Sequence, residues 1–150
     1  MQRRAREGDP WSGQVSLPGG HREPADDDLI ATARRETLEE LAVDLHAGAE
    51  PLGSLPPVQA MAGGRRLDLW ITPILFHVTM PLHPRPSKEA EAAFWLPLAA
   101  ARAGQLDHRF HYADETRKLV LPAWRFEERV VWGLTFRMIQ SLLETYADPA

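Results

Sequence analysis

The chain has 150 residues, a formal net charge of −4 and no cysteine. Its length suits one domain, spanning 1–150, with an ordinary hydrophobic core. The missing cysteine excludes disulfides, thiolate zinc sites and thiol nucleophiles. A negative balance with no long basic run argues against binding nucleic acid by bulk electrostatics. No apolar run reaches membrane-spanning length and no signal-peptide pattern opens the chain. A cytoplasmic protein with neither membrane nor nucleic acid as partner is expected.

Met1 to Gly13 carries Arg3, Arg4 and Arg6, which read either as solvated terminal arginines or as phosphate contacts. Asp9-Pro10 and Ser12-Gly13 are turn chemistry. Gln14 to Leu17 alternates as a short strand and leads into a Pro18-Gly19-Gly20 turn. An acidic loop follows, then a helix carrying Arg35, Glu36, Glu39 and Glu40. Residues three and four apart on a helix share a face, so the three glutamates project together. Three like charges repel, and that arrangement gains nothing unless a positive group sits among them. All-oxygen clusters of this kind suit Mg²⁺ or Mn²⁺. The bland alternative is a solvated acidic face. Ile30, Ala31, Leu38 and Leu41 are expected to form the core side of the same helix.

The stretch Leu17 to Val43 resembles the signature of the Nudix hydrolases. That signature runs glycine, five residues, an acid, seven residues, Arg-Glu, an aliphatic, any residue, Glu-Glu, any residue, glycine, an aliphatic. Gly20 stands first, Asp26 takes the acid's place, Arg35-Glu36 and Glu39-Glu40 follow in step, and Val43 closes a box of about 20–43. One extra residue lies between Asp26 and Arg35, Thr37 replaces the aliphatic, and Ala42 replaces the second glycine. Ala42 suggests a helix end that needs no left-handed residue there, or one that comes later, near Gly48. Upstream, Arg4-Ala5, Gly13 and Leu17-Pro18-Gly19-Gly20 fall at the spacing of the coenzyme A diphosphatase-like branch of the family. Asp9 stands where that branch has a second arginine, and Leu17 where it has phenylalanine. The branch usually places a strand before the position of Arg4. The sheet is therefore expected to lack its N-terminal strand, which leaves open a start upstream of Met1. The edge so exposed would be unpaired or covered by another chain, which admits a homodimer.

Beyond the box, Gly48 to Met61 reads as a strand broken by Pro51, Gly53, Pro56 and Pro57, and Gly63-Gly64 as a turn. Arg65 to Met80 gives the longest strand signal, apolar on both parities and so expected to be covered on both faces. Pro73 within it implies a bulge or an edge. Pro81 to Ser87 is a proline-rich loop. Glu89 and Glu91 precede an aromatic and Pro97-Leu98, with a short helix from Leu98 to Ala103. His108, His111 and Tyr112 could form a ligand cluster, but strand or surface histidines are the commoner meaning. Lys118 to Trp124 reads as a strand ending in a hairpin at Glu127-Glu128, and Val130 to Tyr146 as a terminal amphipathic helix.

The resemblance implies an α/β/α sandwich around a mixed sheet. It also implies metal-dependent hydrolysis of a nucleoside diphosphate linked to another group. Coenzyme A is the favoured substrate, cut to 3′,5′-ADP and 4′-phosphopantetheine. Glu36, Glu39, Glu40 and the Gly20 carbonyl would hold Mg²⁺ or Mn²⁺, with Arg35 orienting the carboxylates. A carboxylate of the cluster, or Glu89 on its loop, would act as base. Arg22, with Arg4 or Arg65, would contact substrate phosphates. The rivals are an ADP-ribose or nucleotide-sugar diphosphatase, and a nucleotide-binding module without turnover.

Overall fold

The structure is a computed structural model that describes residues 1–5, 7–8, 11–62, 65–113 and 118–146. Arg6, Asp9, Pro10 and the Gly63-Gly64 turn lie outside the described residues. In chain order the elements are β1 (Gln2–Arg3), α1 (Leu29–Leu41), α2 (Leu45–Gly48), β2 (Ala49–Ser54), β3 (Val58–Ala62), β4 (Arg65–Ile71) and β5 (Ile74–Val78). They continue as β6 (Ala90–Ala92), α3 (Leu98–Arg102), β7 (Asp107–Ala113), β8 (Lys118–Phe126), β9 (Arg129–Trp132) and α4 (Gly133–Thr145). The chain is α/β. Every strand pairing among the described residues is antiparallel: β1 with β6, β2 with β5, β3 with β4, and β7-β8-β9 in one ladder. Two compact units result, Met1–Pro57 with Thr72–Phe94, and Val58–Ile71 with Trp95–Ala150.

The first unit gathers its core from Met1, Leu41, Val43, Leu45, Ala49 and Ala90, with Phe76, Leu82 and Ala93 against it. Asp28 caps α1, its carboxylate accepting from the Ala31 N–H at 2.8 Å. The helix stops at Ala42, which takes the left-handed conformation (φ 54, ψ 32) while its N–H still donates to the Leu38 carbonyl. So a left-handed residue is required after all, and an alanine fills it. The chain turns there into α2, capped in turn by Asp44. The buried side of α1 also differs from expectation. Thr32, Thr37, Glu40 and Leu41 are buried, whereas Leu38 is 52% exposed. On the side of α1 that carries Leu41, the guanidinium of Arg34 sits 6.0 Å from the centre of the Phe76 ring on β5.

A two-residue strand, β1, stands where none was expected. It pairs with β6 on one side and bridges Val15 on the other. The long strand signal of Arg65 to Met80 resolves into two strands with different partners, because Pro73 cannot donate to a ladder. Trp70, 59% exposed, is not covered on both faces.

In the second unit α4 packs on β8 and β9 and reaches β3. Trp124 is fully buried and meets Phe136 of α4 at 4.4 Å between ring centres, and Phe110 stacks on Trp132 at 4.1 Å. Glu127 turns the β8–β9 hairpin with φ 54. Val130 to Trp132 belong to β9 rather than to the terminal helix; the β-branched pair favours extended backbone, and Gly133 (φ 63) makes the break. Among the described residues no helix is long and apolar enough to cross a membrane.

Candidate active site

The site is assembled around one buried carboxylate. Asp26 is 5% exposed and sits in the loop before α1. It accepts from the Glu23 N–H at 2.9 Å, the Thr32 hydroxyl at 2.9 Å, and Arg35 Nε and Nη2, each at 3.1 Å. Its acceptor capacity is thus filled, as a buried carboxylate requires. The Arg35 guanidinium beside it, with the Glu23 N–H, holds the Asp26 carboxyl well below the usual carboxylate range. The hydrogen bonds from Arg35 to Asp26 reciprocally push the guanidinium above its already high ordinary value.

Arg35 then distributes its other donors. Nη2 donates to the His21 carbonyl at 2.9 Å, and Nη1 to Glu36 at 2.9 Å and to Glu39 at 3.4 Å. The arginine therefore fixes the loop of 21–26 and two of the three box glutamates from one planar group. Glu39 lies at the rim, its side chain 58% exposed, while Glu36 is largely covered at 14%.

Glycines receive the other carboxylates. The Gly19 N–H donates to Glu40 Oε2 at 2.9 Å. A methyl group added at Gly20 would lie 2.2 Å from Glu36 Oε1, so the Glu36 carboxylate occupies the space a side chain would take. Glu40 is 5% exposed. Burial pushes its carboxyl up, the Gly19 N–H opposes that, and Glu36 and Glu89 push further while Arg3 pulls down. Glu89 itself is exposed, just ahead of β6. Its segment is tied to the end of α1, where the Ser87 and Arg85 N–H groups donate to the carbonyls of Glu40 and Leu41.

Two of the arginines expected at substrate phosphates are engaged with backbone. Arg22 folds over its own loop, donating to the carbonyls of Asp26 and Asp27. Arg4 donates to the carbonyls of Lys88 and Ala90. Arg65 opens β4 in the second unit, exposed and opposite Ala62. The histidines of β7 do not form a ligand cluster among the described residues; His108 Nε2 meets Arg125 Nη2 at 2.9 Å. Arginine is only a donor, so that ring nitrogen accepts. Three contributors were not singled out as site residues from sequence. Asp26 holds Arg35, the Thr32 hydroxyl donates to Asp26, and Arg3 places a positive charge near Glu40. The signal for Asp26 was its place in the box, and for Thr32 its position six residues later, one helical turn past the cap. Arg3 reads from sequence as a solvated terminal arginine or a phosphate contact, not as a neighbour of Glu40.

Among the described residues no three carboxylates or imidazoles stand together as a ready metal cage. The donor chemistry nevertheless fits a hard divalent cation. Glu36, Glu39 and Glu40 offer only oxygen, and Glu40 is a desolvated acid opposed by two like charges.

Comparison with known proteins agrees with this architecture. The NUDIX domain family model matches residues 1–119. The chain is similar to the protein named Uncharacterized Nudix hydrolase NudL of Klebsiella pneumoniae subsp. pneumoniae, with 36% identity over 137 residues covering 87% of this chain and 66% of that protein. It is 33% identical over 139 residues to the protein of the same name in Photorhabdus laumondii subsp. laumondii, covering 89% and 68%. For the Salmonella paratyphi B protein the identity is 37% over 136 residues, covering 87% and 66%. The chain thus spans about two thirds of the length of these relatives. On the match over 1–119, which contains the whole cluster from Gly19 to Glu89, this chain belongs to the NUDIX domain family.

Proposed function

We propose that the chain is a pyrophosphohydrolase acting on a nucleoside diphosphate linked to another group, with coenzyme A the favoured substrate and Mg²⁺ or Mn²⁺ the cofactor. The observation that carries this reading is the Asp26–Arg35 lock, which holds Glu36 and Glu39 while the Gly19-Gly20 turn receives Glu36 and Glu40. Glu36, Glu39 and Glu40, with the Gly20 carbonyl, are the groups that would hold a divalent ion. Such an ion, when bound, supplies neutralisation of the diphosphate charge and activation of water. The protein's own part is positional and electrostatic. Arg35 prevents the box carboxylates from splaying apart, and a carboxylate of the cluster or Glu89 accepts the proton as water attacks phosphorus and the P–O bond of the diphosphate breaks. Arg22 is the candidate phosphate contact, by exchanging its loop carbonyls for substrate oxygens.

The choice of coenzyme A rests on Arg4-Ala5, Gly13 and Leu17 to Gly20 at the spacing of the coenzyme A diphosphatase-like branch. The family match crosses both compact units, which supports treating 1–150 as one domain. A comparison of kcat/KM for coenzyme A, ADP-ribose and NADH under identical metal conditions tests the proposal. Preference for coenzyme A with release of 3′,5′-ADP and 4′-phosphopantetheine is expected. Preference for ADP-ribose or NADH would move the substrate and keep the chemistry. Binding without turnover across the panel would instead mean a nucleotide-binding module.

A further inference from the structure

β1 lies between the two arms of the site. On one side Arg3 N–H donates to the Gln14 carbonyl and Ser16 N–H to the Met1 carbonyl, each at 2.9 Å. This arm runs on through Leu17 and Pro18 to the glycines that receive Glu36 and Glu40. On the other side β1 pairs with β6, the strand that Glu89 leads into. Successive side chains along an extended segment point to opposite faces. Arg3 accordingly places its charge near Glu40, while the Arg4 side chain runs the other way.

There Arg4 takes three consecutive carbonyls. Its Nε donates to Lys88 O at 3.1 Å, its main-chain N–H to Glu89 O at 3.0 Å, and its Nη2 to Ala90 O at 3.4 Å. A planar guanidinium reaches two carbonyls flanking a third because its donors are set in a fixed fork; an ammonium has no such fork. We propose that Arg4 is a positioning residue that fixes the main chain on both sides of Glu89 and so holds that carboxylate to the Glu36 and Glu40 cluster. Arg4 then serves the reaction through Glu89, with no contact to substrate. The inference rests on the reading of this cluster as the site of diphosphate hydrolysis, and it replaces the phosphate contact expected of Arg4 from sequence.

The test uses the full chain with Arg4→Ala, Arg4→Lys, Glu89→Gln and the Arg4→Ala/Glu89→Gln double variant, on whichever diphosphate the wild type cleaves. Arg4→Ala is expected to lower kcat roughly 10- to 100-fold, the scale of a misplaced reacting group, with KM held within about twofold. Arg4→Lys keeps the charge but not the fork and should not rescue. In the Glu89→Gln background, Arg4→Ala should add less than about a twofold further loss, since residues acting through one group are not additive. A rise in KM at unchanged kcat, full rescue by lysine, or losses that multiply in the double variant would overturn the proposal. Hydrogen exchange across residues 87–92 reads the clamp without turnover. Faster exchange there in Arg4→Ala, with the rest of the chain unchanged, is expected even if no diphosphate is cleaved. Unchanged exchange overturns the clamp. A wild type silent on every diphosphate would overturn the hydrolytic reading and leave the clamp to be judged by exchange alone.

Discussion

Burial is the largest influence on Glu40, and together with the like charges of Glu36 and Glu89 it raises the carboxyl above its ordinary value. A carboxylate whose folded pKa is raised costs stability once the pH exceeds that pKa, and costs nothing below the unfolded value of about 4.3. Glu40→Gln keeps an acceptor for the Gly19 N–H and removes the charge. The variant should therefore lose about a thousandfold in turnover, roughly 4 kcal/mol at the transition state. It should also unfold at higher temperature than wild type in chelator at neutral pH, with the gain disappearing near pH 4. Melts at the two pH values check the second half, and equal Tm values at neutral pH would contradict it. Asp26 has the opposite sign. Arg35 and the Glu23 N–H depress its folded pKa, so its contribution is present above the unfolded value of about 3.9 and is lost as the pH falls through the folded value. Asp26→Asn should lower Tm at neutral pH, and the difference from wild type should shrink on acidification. Because Arg35 then loses its anchor, kcat should fall with it; a variant that melts earlier but turns over normally would separate the lock from the chemistry.

Ala42 illustrates what an element stores. A residue with a Cβ in the left-handed region costs roughly 1–2 kcal/mol, which glycine does not incur. Ala42→Gly should raise stability by about 1 kcal/mol, a Tm gain of roughly 2–4 °C for a chain of this size. A denaturant midpoint that does not move, at constant m-value, would mean that the turn into α2 compensates the strain. The same helix shows what could be read in advance. The spacing of Arg35, Glu36, Glu39 and Glu40 was legible because helical geometry alone puts them on one side. The buried face was not, because Thr32, Thr37 and Glu40 are drawn inward by hydrogen bonds to Asp26, Ala33 O and Gly19 N, while Leu38 is left outside. Apolar counting is blind to such partners. Pro73 was recognised as an interruption, but only the ladder showed that it divides β4 from β5. At the other end, Val130 to Trp132 carry a spacing that suits helix or strand. Pairing with Trp124 and Arg125 decides for strand. The arginines of the N-terminal segment were the least legible, since Arg3 and Arg4 differ only in which way an extended backbone points them.

At the scale of the whole molecule, the formal charge of −4 is unevenly used: Glu36 and Glu89 oppose Glu40 within one cluster, where Arg3 acts on Glu40 and Arg35 pairs with Glu36. A cation that binds this cluster in the native state and not in the unfolded chain must stabilise the fold by mass action. At about 100 times its dissociation constant the gain is about 2.7 kcal/mol, which for a chain of this length is a rise in Tm of roughly 5–10 °C. Mn²⁺ or Mg²⁺ should produce that rise, and chelation should reverse it. The Glu36→Gln/Glu40→Gln double variant should start from a higher Tm in chelator, because like charges have been removed, and should gain little from either ion. The higher starting Tm of the double variant and its lost response to the ion have one origin, which separates specific binding from general screening by salt: monovalent salt at matched ionic strength would relieve repulsion a little in wild type, yet would not make the double variant indifferent to the divalent ion. A wild type whose Tm is unmoved by millimolar Mn²⁺ would remove the metal from this cluster and leave the Asp26–Arg35 lock as a structural feature alone.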